Sequence, residues 1–216
     1  MGTPSLTSGE GRKLGFERFI FFSDAVFAIA ITLLVLDLRV PDADAFAIWP
    51  LMPKFIGFGV SFYVIGRYWL AHHQLFEAVE GYDGLLLGVN LWFLASIAFL
   101  PFPTSVVTAA KPAAAPVTFY AASLMAVGLA MVALVLVARR LALMRPGQTR
   151  GGTARAVAAA AAAPLVFAVT AGAAAFGFRQ ALWLLLLLFP VSWAAERIGQ
   201  GLGRRIDAAS PLEVAK

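Results

Sequence analysis

Between Arg18 and Leu38 the chain reads RFIFFSDAVFAIAITLLVLDL, an apolar run that carries a cation, a hydroxyl and a carboxylate in its first two turns. At about 1.5 Å per residue such a run spans about 30 Å, the thickness of a bilayer's hydrocarbon core, so it reads as one transmembrane helix. An ionisable group at that depth costs about 3 kcal/mol or more unless it faces protein, water or a partner. Arg18, Ser23 and Asp24 are therefore expected to face inward, and the rest of the chain must supply their partners.

On a helical projection Phe22, Ala25, Ile29, Leu33 and Leu36 fall within about 40° of one line, with Thr32 about 60° away. Asp24 lies about 140° from that line and Ser23 about 120° on the other side. The run thus has an aliphatic stripe facing one environment and polar groups facing another. Taken on its residues alone, such a stripe reads as ordinary helix packing.

Arg18-x-x-x-Phe22-Ser23-Asp24, continued by AVFAIAITLLVLDL, resembles the signature first helix of the endolysosomal transmembrane potassium-channel family and its prokaryotic homologues. The later strings YWLAHHQLF and NLWFLASIAFLPFPT extend the resemblance over roughly the first half of the chain. The second half carries no motif of its own. In that family the first helices of all subunits line the pore, and there is no TVGYG-type filter. This sequence has none either. The resemblance implies a hydrophobic constriction at Ile29, Leu33 and Leu36, with Thr32 as a hydroxyl-bearing layer beside it. Rings of such side chains close a pore by expelling water.

The chain has 216 residues, of which 61% are hydrophobic and 13% charged. Its mean hydropathy is +0.82. Soluble domains carry roughly 25% charged residues, so the composition is that of an integral membrane protein. The net charge of +5 does not point to nucleic acid, because the basic residues fall in loops between apolar runs. With no cysteine there is no disulfide framework and no thiolate metal site. The first run is too long for a signal peptide, carries Asp24 and lacks a small-residue cleavage site, so it stays in the mature protein.

Six spans are expected, at about 18–38, 54–76, 85–107, 117–137, 156–178 and 180–195. They form one transmembrane domain (18–198) between an unstructured N-terminal tail (1–17) and a C-terminal tail (199–216). Pro41 ends the first span, Gly57 and Ser61 give the second a small-residue face, and Pro101 and Pro103 kink the far end of the third. The alanine-rich fifth is expected to pack against neighbouring helices. The N-terminal flank, the linker after the fourth span and the C-terminus hold twelve Lys and Arg, against four in the opposite segments. The excess of positive charge places both termini in the cytoplasm of a multi-pass protein of the cell membrane.

On that topology Asp24, His72, His73 and Asn90 share one depth and can meet, joined by Arg18. Three roles fit such a network: a clamp fixing the first span, a proton relay using a histidine, or a metal site. The last fits worst, since adjacent helical histidines point apart and nothing completes a coordination sphere. In the family the corresponding residues, Arg18, Phe22, Ser23 and Asp24 with His72, His73 and Asn90, are structural, so the clamp is the expectation and no metal is.

The resulting expectation is an all-α, six-helix subunit whose first helix lines a pore on the oligomer axis. It would conduct K+, weakly preferred over Na+, with monovalent cations and the bilayer as its partners and no cofactor or nucleic acid. One span per subunit cannot enclose a pore, and the family's two-unit chains are dimeric, so a one-unit chain implies a homotetramer. Arg67 and Asp37 remain open as a snorkelling residue and a pore-mouth charge. The competing class is a proton-coupled or other secondary transporter, favoured by the charged interior, although the broken helices and repeats it would need are not found. No nucleophile–base pair, metal motif or phosphate loop points to an enzyme.

Overall fold

The computed structural model describes residues 8–38, 48–109, 113–145, 149–178 and 181–209, and these are helical nearly throughout. The expected loop around Pro41 and the outermost tail residues lie outside them. Helix α1 (Ser8–Leu33) starts well ahead of the expected span, so much of the tail read as unstructured is helix. Aromatic contacts explain the extension: Phe16 stacks on Tyr82 with ring centroids 6.0 Å apart, and Phe19 meets Phe76 edge-on at 5.3 Å. At its other end α1 tightens into a 3-10 turn over Leu34–Asp37.

Helix α2 (Ile48–Glu77) begins earlier than expected and takes Pro53 inside. Helix α3 (Gly84–Phe99) is capped by Asp83, whose carboxylate accepts from the Leu85 amide at 2.8 Å. It breaks at Leu100 and resumes as α4 (Pro101–Ala109). Pro101 has no N–H to give the Ile97 carbonyl, and the Leu100 amide takes that acceptor instead, at 3.1 Å. Next come α5 (Ala114–Arg140) and α6 (Arg150–Ala175). The last apolar run differs most from expectation: it is a 3-10 stretch, Ala181–Leu187, followed by α7 (Leu188–Ala209), which continues well into the expected C-terminal tail.

Among the described residues, four stretches are long and apolar enough to cross a membrane: Lys13–Asp37, Gly84–Ala109, Ala114–Arg140 and Ala154–Ala175. Helix α2 is not among them; Lys54, Arg67, two histidines and Glu77 lie along it. The 181–209 stretch divides its apolar residues between two helix types and ends in Arg197, Arg204 and Arg205.

The core is shared by all these elements, with Phe27 of α1, Ile65 of α2, Phe93 and Ile97 of α3, Leu124 and Leu134 of α5 and Phe167 of α6 fully buried. Small residues set the closest approaches. A side chain at Gly57 would overlap Thr108 of α4, and one at Gly128 of α5 would overlap the Pro164 ring of α6. Buried hydroxyls reinforce the first contact: Ser61 shares hydrogen bonds with Thr104 at 2.8 Å and with Tyr120 at 2.9 Å.

Several connections gather at one end of the bundle. There Val79 pairs with Met144, flanked by bonds from the Glu80 amide to the Leu143 carbonyl and from the Arg145 amide to the Ala78 carbonyl, each 2.9 Å. Asp207 of α7 accepts from the Gly151 amide at the start of α6, at 3.0 Å. The Phe16–Tyr82 stack brings the start of α1 to the loop between α2 and α3.

Candidate functional site

Helix α1 and the 3-10 turn that ends it pack on their own chain through Ser23, Phe27, Ala30 and Leu34, all buried. This is an i, i+4, i+7, i+11 series, one face of a helix. The aliphatic stripe is on the other side. Ile29 is 58% exposed, Leu33 41% and Leu36 60%, and Phe22, Ala25 and Thr32 are exposed as well. The Thr32 hydroxyl donates to the Ile29 carbonyl at 2.9 Å, so its oxygen keeps acceptor capacity towards that open face.

The 3-10 turn changes the stripe's spacing. Ile29 and Leu33 are one α-turn apart, about 6 Å, but in 3-10 geometry residues three apart eclipse and rise about 2 Å each. Leu36 therefore stands directly over Leu33, about 6 Å further along, where a continuous α-helix would set it about 4.5 Å away and turned aside.

The polar residues divide into two groups. In the buried group, Asn90 of α3 donates through its amide nitrogen to Ser23 Oγ at 3.0 Å, and Ser23 passes its own proton to the Phe19 carbonyl at 3.1 Å. His72 Nε2 lies 2.8 Å from Asn90 Oδ1, an atom that only accepts, so the imidazole donates. Phenyl rings enclose that imidazole: Phe76 at 4.5 Å, Phe93 stacked at 5.6 Å and Phe27 edge-on at 5.5 Å. The His72–Asn90 bond joins α2 to α3 and the Asn90–Ser23 bond joins α3 to α1, and the chain ends on a backbone acceptor within α1.

The outer group lies on the exposed side of α2. The Trp69 indole donates to Asp24 Oδ1 at 2.9 Å and stacks on His73 at 5.7 Å. His73 in turn lies 3.3 Å from Glu77. Arg18 and Phe22 are exposed, and among the described residues no hydrogen bond or ion pair links either side chain to the Ser23–Asn90–His72 chain. The adjacent histidines point in different directions from α2, about 100° apart as their helical spacing requires, so one network became two. Sequence reasoning missed Trp69 as the partner of Asp24, although it stands within the quoted YWLAHHQLF string.

Asp37 is held from two sides. Lys54 Nζ donates to its carbonyl at 3.1 Å, and the Thr108 hydroxyl donates to its carboxylate at 2.9 Å. Arg67 borders a cavity of about 540 Å³ between α2 and the α5–α6–α7 side, whose floor includes Met131 and Phe167.

Residues 18–101 match the family described as the endosomal/lysosomal potassium channel TMEM175. A protein named a potassium channel from Chryseobacterium sp. (strain P1-3) is 37% identical over 109 residues, covering 50% of this chain and 57% of that one. A Danio rerio protein named as the endosomal/lysosomal proton channel TMEM175 is 33% identical over 111 residues, 45% of this chain and 21% of that one. The chain therefore matches about half the length of the first relative and about a fifth of the second. The family so described is one of ion channels, not of enzymes. The crystal structure of a lysosomal potassium-selective channel TMEM175 homologue from Chamaesiphon minutus superposes with a TM-score of 0.73 at 24% identity, covering 84% of this chain and 98% of that one. Through residues 18–101 the chain resembles the prokaryotic homologues of the TMEM175 channel family, and its fold is that of a solved TMEM175 homologue.

Proposed function

We propose that the chain is a six-span subunit of a potassium-permeable cation channel of the cell membrane, a homotetramer with cytoplasmic termini and with α1 around the axis. The observation that carries this reading is the division of α1. Its Ser23–Phe27–Ala30–Leu34 face is spent on the subunit's own core, while Ile29, Leu33 and Leu36 are left open along one line. In a cyclic assembly that line becomes successive apolar rings. A narrow apolar ring closes to ions because it holds too little water to replace their hydration shell, and the Thr32 layer beside it supplies few ligands, which favours weak selectivity for K+ over Na+.

Single-channel recording in planar bilayers tests the reading. Purified protein should pass K+ and some Na+ down their gradients with no coupled substrate, and a saturating flux with a stoichiometric counter-ion would point to a carrier. Replacing Ile29 or Leu33 by Asn should wet the constriction and raise conductance severalfold. The control Leu165→Ser, on an exposed face of α6, should leave it unchanged. Unchanged current in well-assembled Ile29→Asn and Leu33→Asn channels would remove the stripe as the gate.

A further inference from the structure

We infer that Lys54 and Thr108 are positioning residues for the outermost layer of the stripe, holding the 3-10 turn that sets Leu36 over Leu33. The inference rests on the channel reading for its consequence but not for its geometry. The turn is narrow enough that its residues fall on two sides. Residues three apart eclipse, so Leu36 follows Leu33 on the open side and Asp37 follows Leu34 on the packed side. Leu34 is 2% exposed and Leu36 60%, so the two do fall on opposite sides.

Short 3-10 runs are poorer in hydrogen bonding than α-helix, so something must hold this one. Part of the reason is in the sequence. In a continued α-helix the Asp37 carbonyl would accept from the amide four residues on, and that residue is Pro41, which has none. Lys54 Nζ supplies the missing donor from α2 at 3.1 Å. The carboxylate of the same residue is tied to α4 by the Thr108 hydroxyl at 2.9 Å, a charge-assisted bond to an acceptor stronger than the Thr104 and Ser105 carbonyls, which the hydroxyl also approaches at 3.0 and 3.2 Å. Thr108 is itself seated against the bare backbone of Gly57, where any side chain would overlap it. One residue of the turn is thus gripped through its backbone by α2 and through its side chain by α4, and the two gripping helices touch each other at the same place.

Releasing the grip lets the turn open more often and, when it closes, sample α geometry as well as 3-10. The α geometry would rotate Leu36 by about 60° off the Leu33 line and draw it about 1.5 Å back along the axis. The outer apolar ring would lose its register with the ring below it. In this arrangement α2 and α4 set the shape of the constriction without touching the permeating ion.

Two measurements on the full chain in nanodiscs separate the grip from its consequence. In hydrogen exchange, Thr108→Val and Lys54→Met should speed the amides of residues 35–38 at least tenfold while residues 23–33 stay as in the wild type. Thr108→Ser, which keeps the hydroxyl, should restore protection. In single-channel recording the same two variants should change open probability at least threefold with the K+ to Na+ permeability ratio retained, and Thr108→Ser should again restore the wild-type value. Unchanged exchange at residues 35–38 overturns the grip. Faster exchange with unchanged gating overturns the positioning role. Absence of current from the wild-type protein overturns the channel reading, and the positioning role falls with it.

Discussion

At the scale of single residues, the helix bundle distinguishes polar groups that have no alternative partner from those that do. Asn90 is fully buried and spends both ends of its amide, the nitrogen on Ser23 and the oxygen on His72. Asn90→Leu fills the space yet strands two buried polar groups, so it should cost about 1–3 kcal/mol. Thermal unfolding of purified protein should register this as a clear drop in midpoint. Asp24→Asn should behave differently, because an amide oxygen can still accept from the Trp69 indole and the site is only half-buried. A midpoint close to wild type is expected, and a collapse as large as that of Asn90→Leu would mean that Asp24 has a partner beyond its own subunit. The residue types of this site were legible in the sequence because polar groups inside an apolar run demand partners. Their pairing was not, because whether a helix turns Asp24 to Trp69 or to His72 depends on packing angles that a projection at about 100° per residue does not contain.

At the scale of elements, close approach matters more than the hydropathy of any run. Helix α6 contributes mostly alanine to its contact with α5, and the contact is tightest where Gly128 admits the Pro164 ring and the Tyr68 hydroxyl. Gly128→Ala raises helix propensity, which alone would stabilise α5 by about 0.5–1 kcal/mol. The added methyl must nevertheless displace a rigid ring, and overpacking of that kind costs about 1–3 kcal/mol. The net expectation is a lower unfolding midpoint, and a higher one would show that α6 shifts freely on α5. The expectation that the alanine-rich run packs closely was legible, since small residues leave little else to contribute. The end of α1 was not. Apart from Asp37, hydropathy runs on to Leu38, and the donors on α2 and α4 that meet Asp37 at the 3-10 turn come from far away in sequence. The last apolar run takes a 3-10 start for a related reason: a Leu-rich stretch specifies burial, whereas the helix type it adopts depends on its surroundings.

At the scale of the whole molecule, the contacts between connections constrain how often the chain crosses. The loop after α2 pairs with the segment after α5, so whatever lies between them must leave that end of the bundle and return. Helices α3 and α4 make the outward passage and α5 the inward one. The bond between Gly151 and Asp207 imposes the same condition on α6 and the 181–209 stretch. The Phe16–Tyr82 stack sets the start of α1 beside the loop after α2, so α1 and α2 also form an outward and inward pair. Three returning pairs bring both ends of the described chain to one side, which is what the proposed six-span topology with cytoplasmic ends requires, given the basic residues concentrated at that end. The absence of cysteine makes this directly testable by single substitutions. Glu80→Cys and Arg145→Cys lie at the end where the loops pair, and Ala115→Cys lies at the opposite end, all three at exposed positions. A membrane-impermeant maleimide added to intact cells should label Ala115→Cys and spare the other two, which should react only after permeabilisation. Labelling of Glu80→Cys and Arg145→Cys from outside would invert the orientation. If one of those two were labelled without the other, the loops could not share a face, and the pairing of three helical hairpins would have to be abandoned.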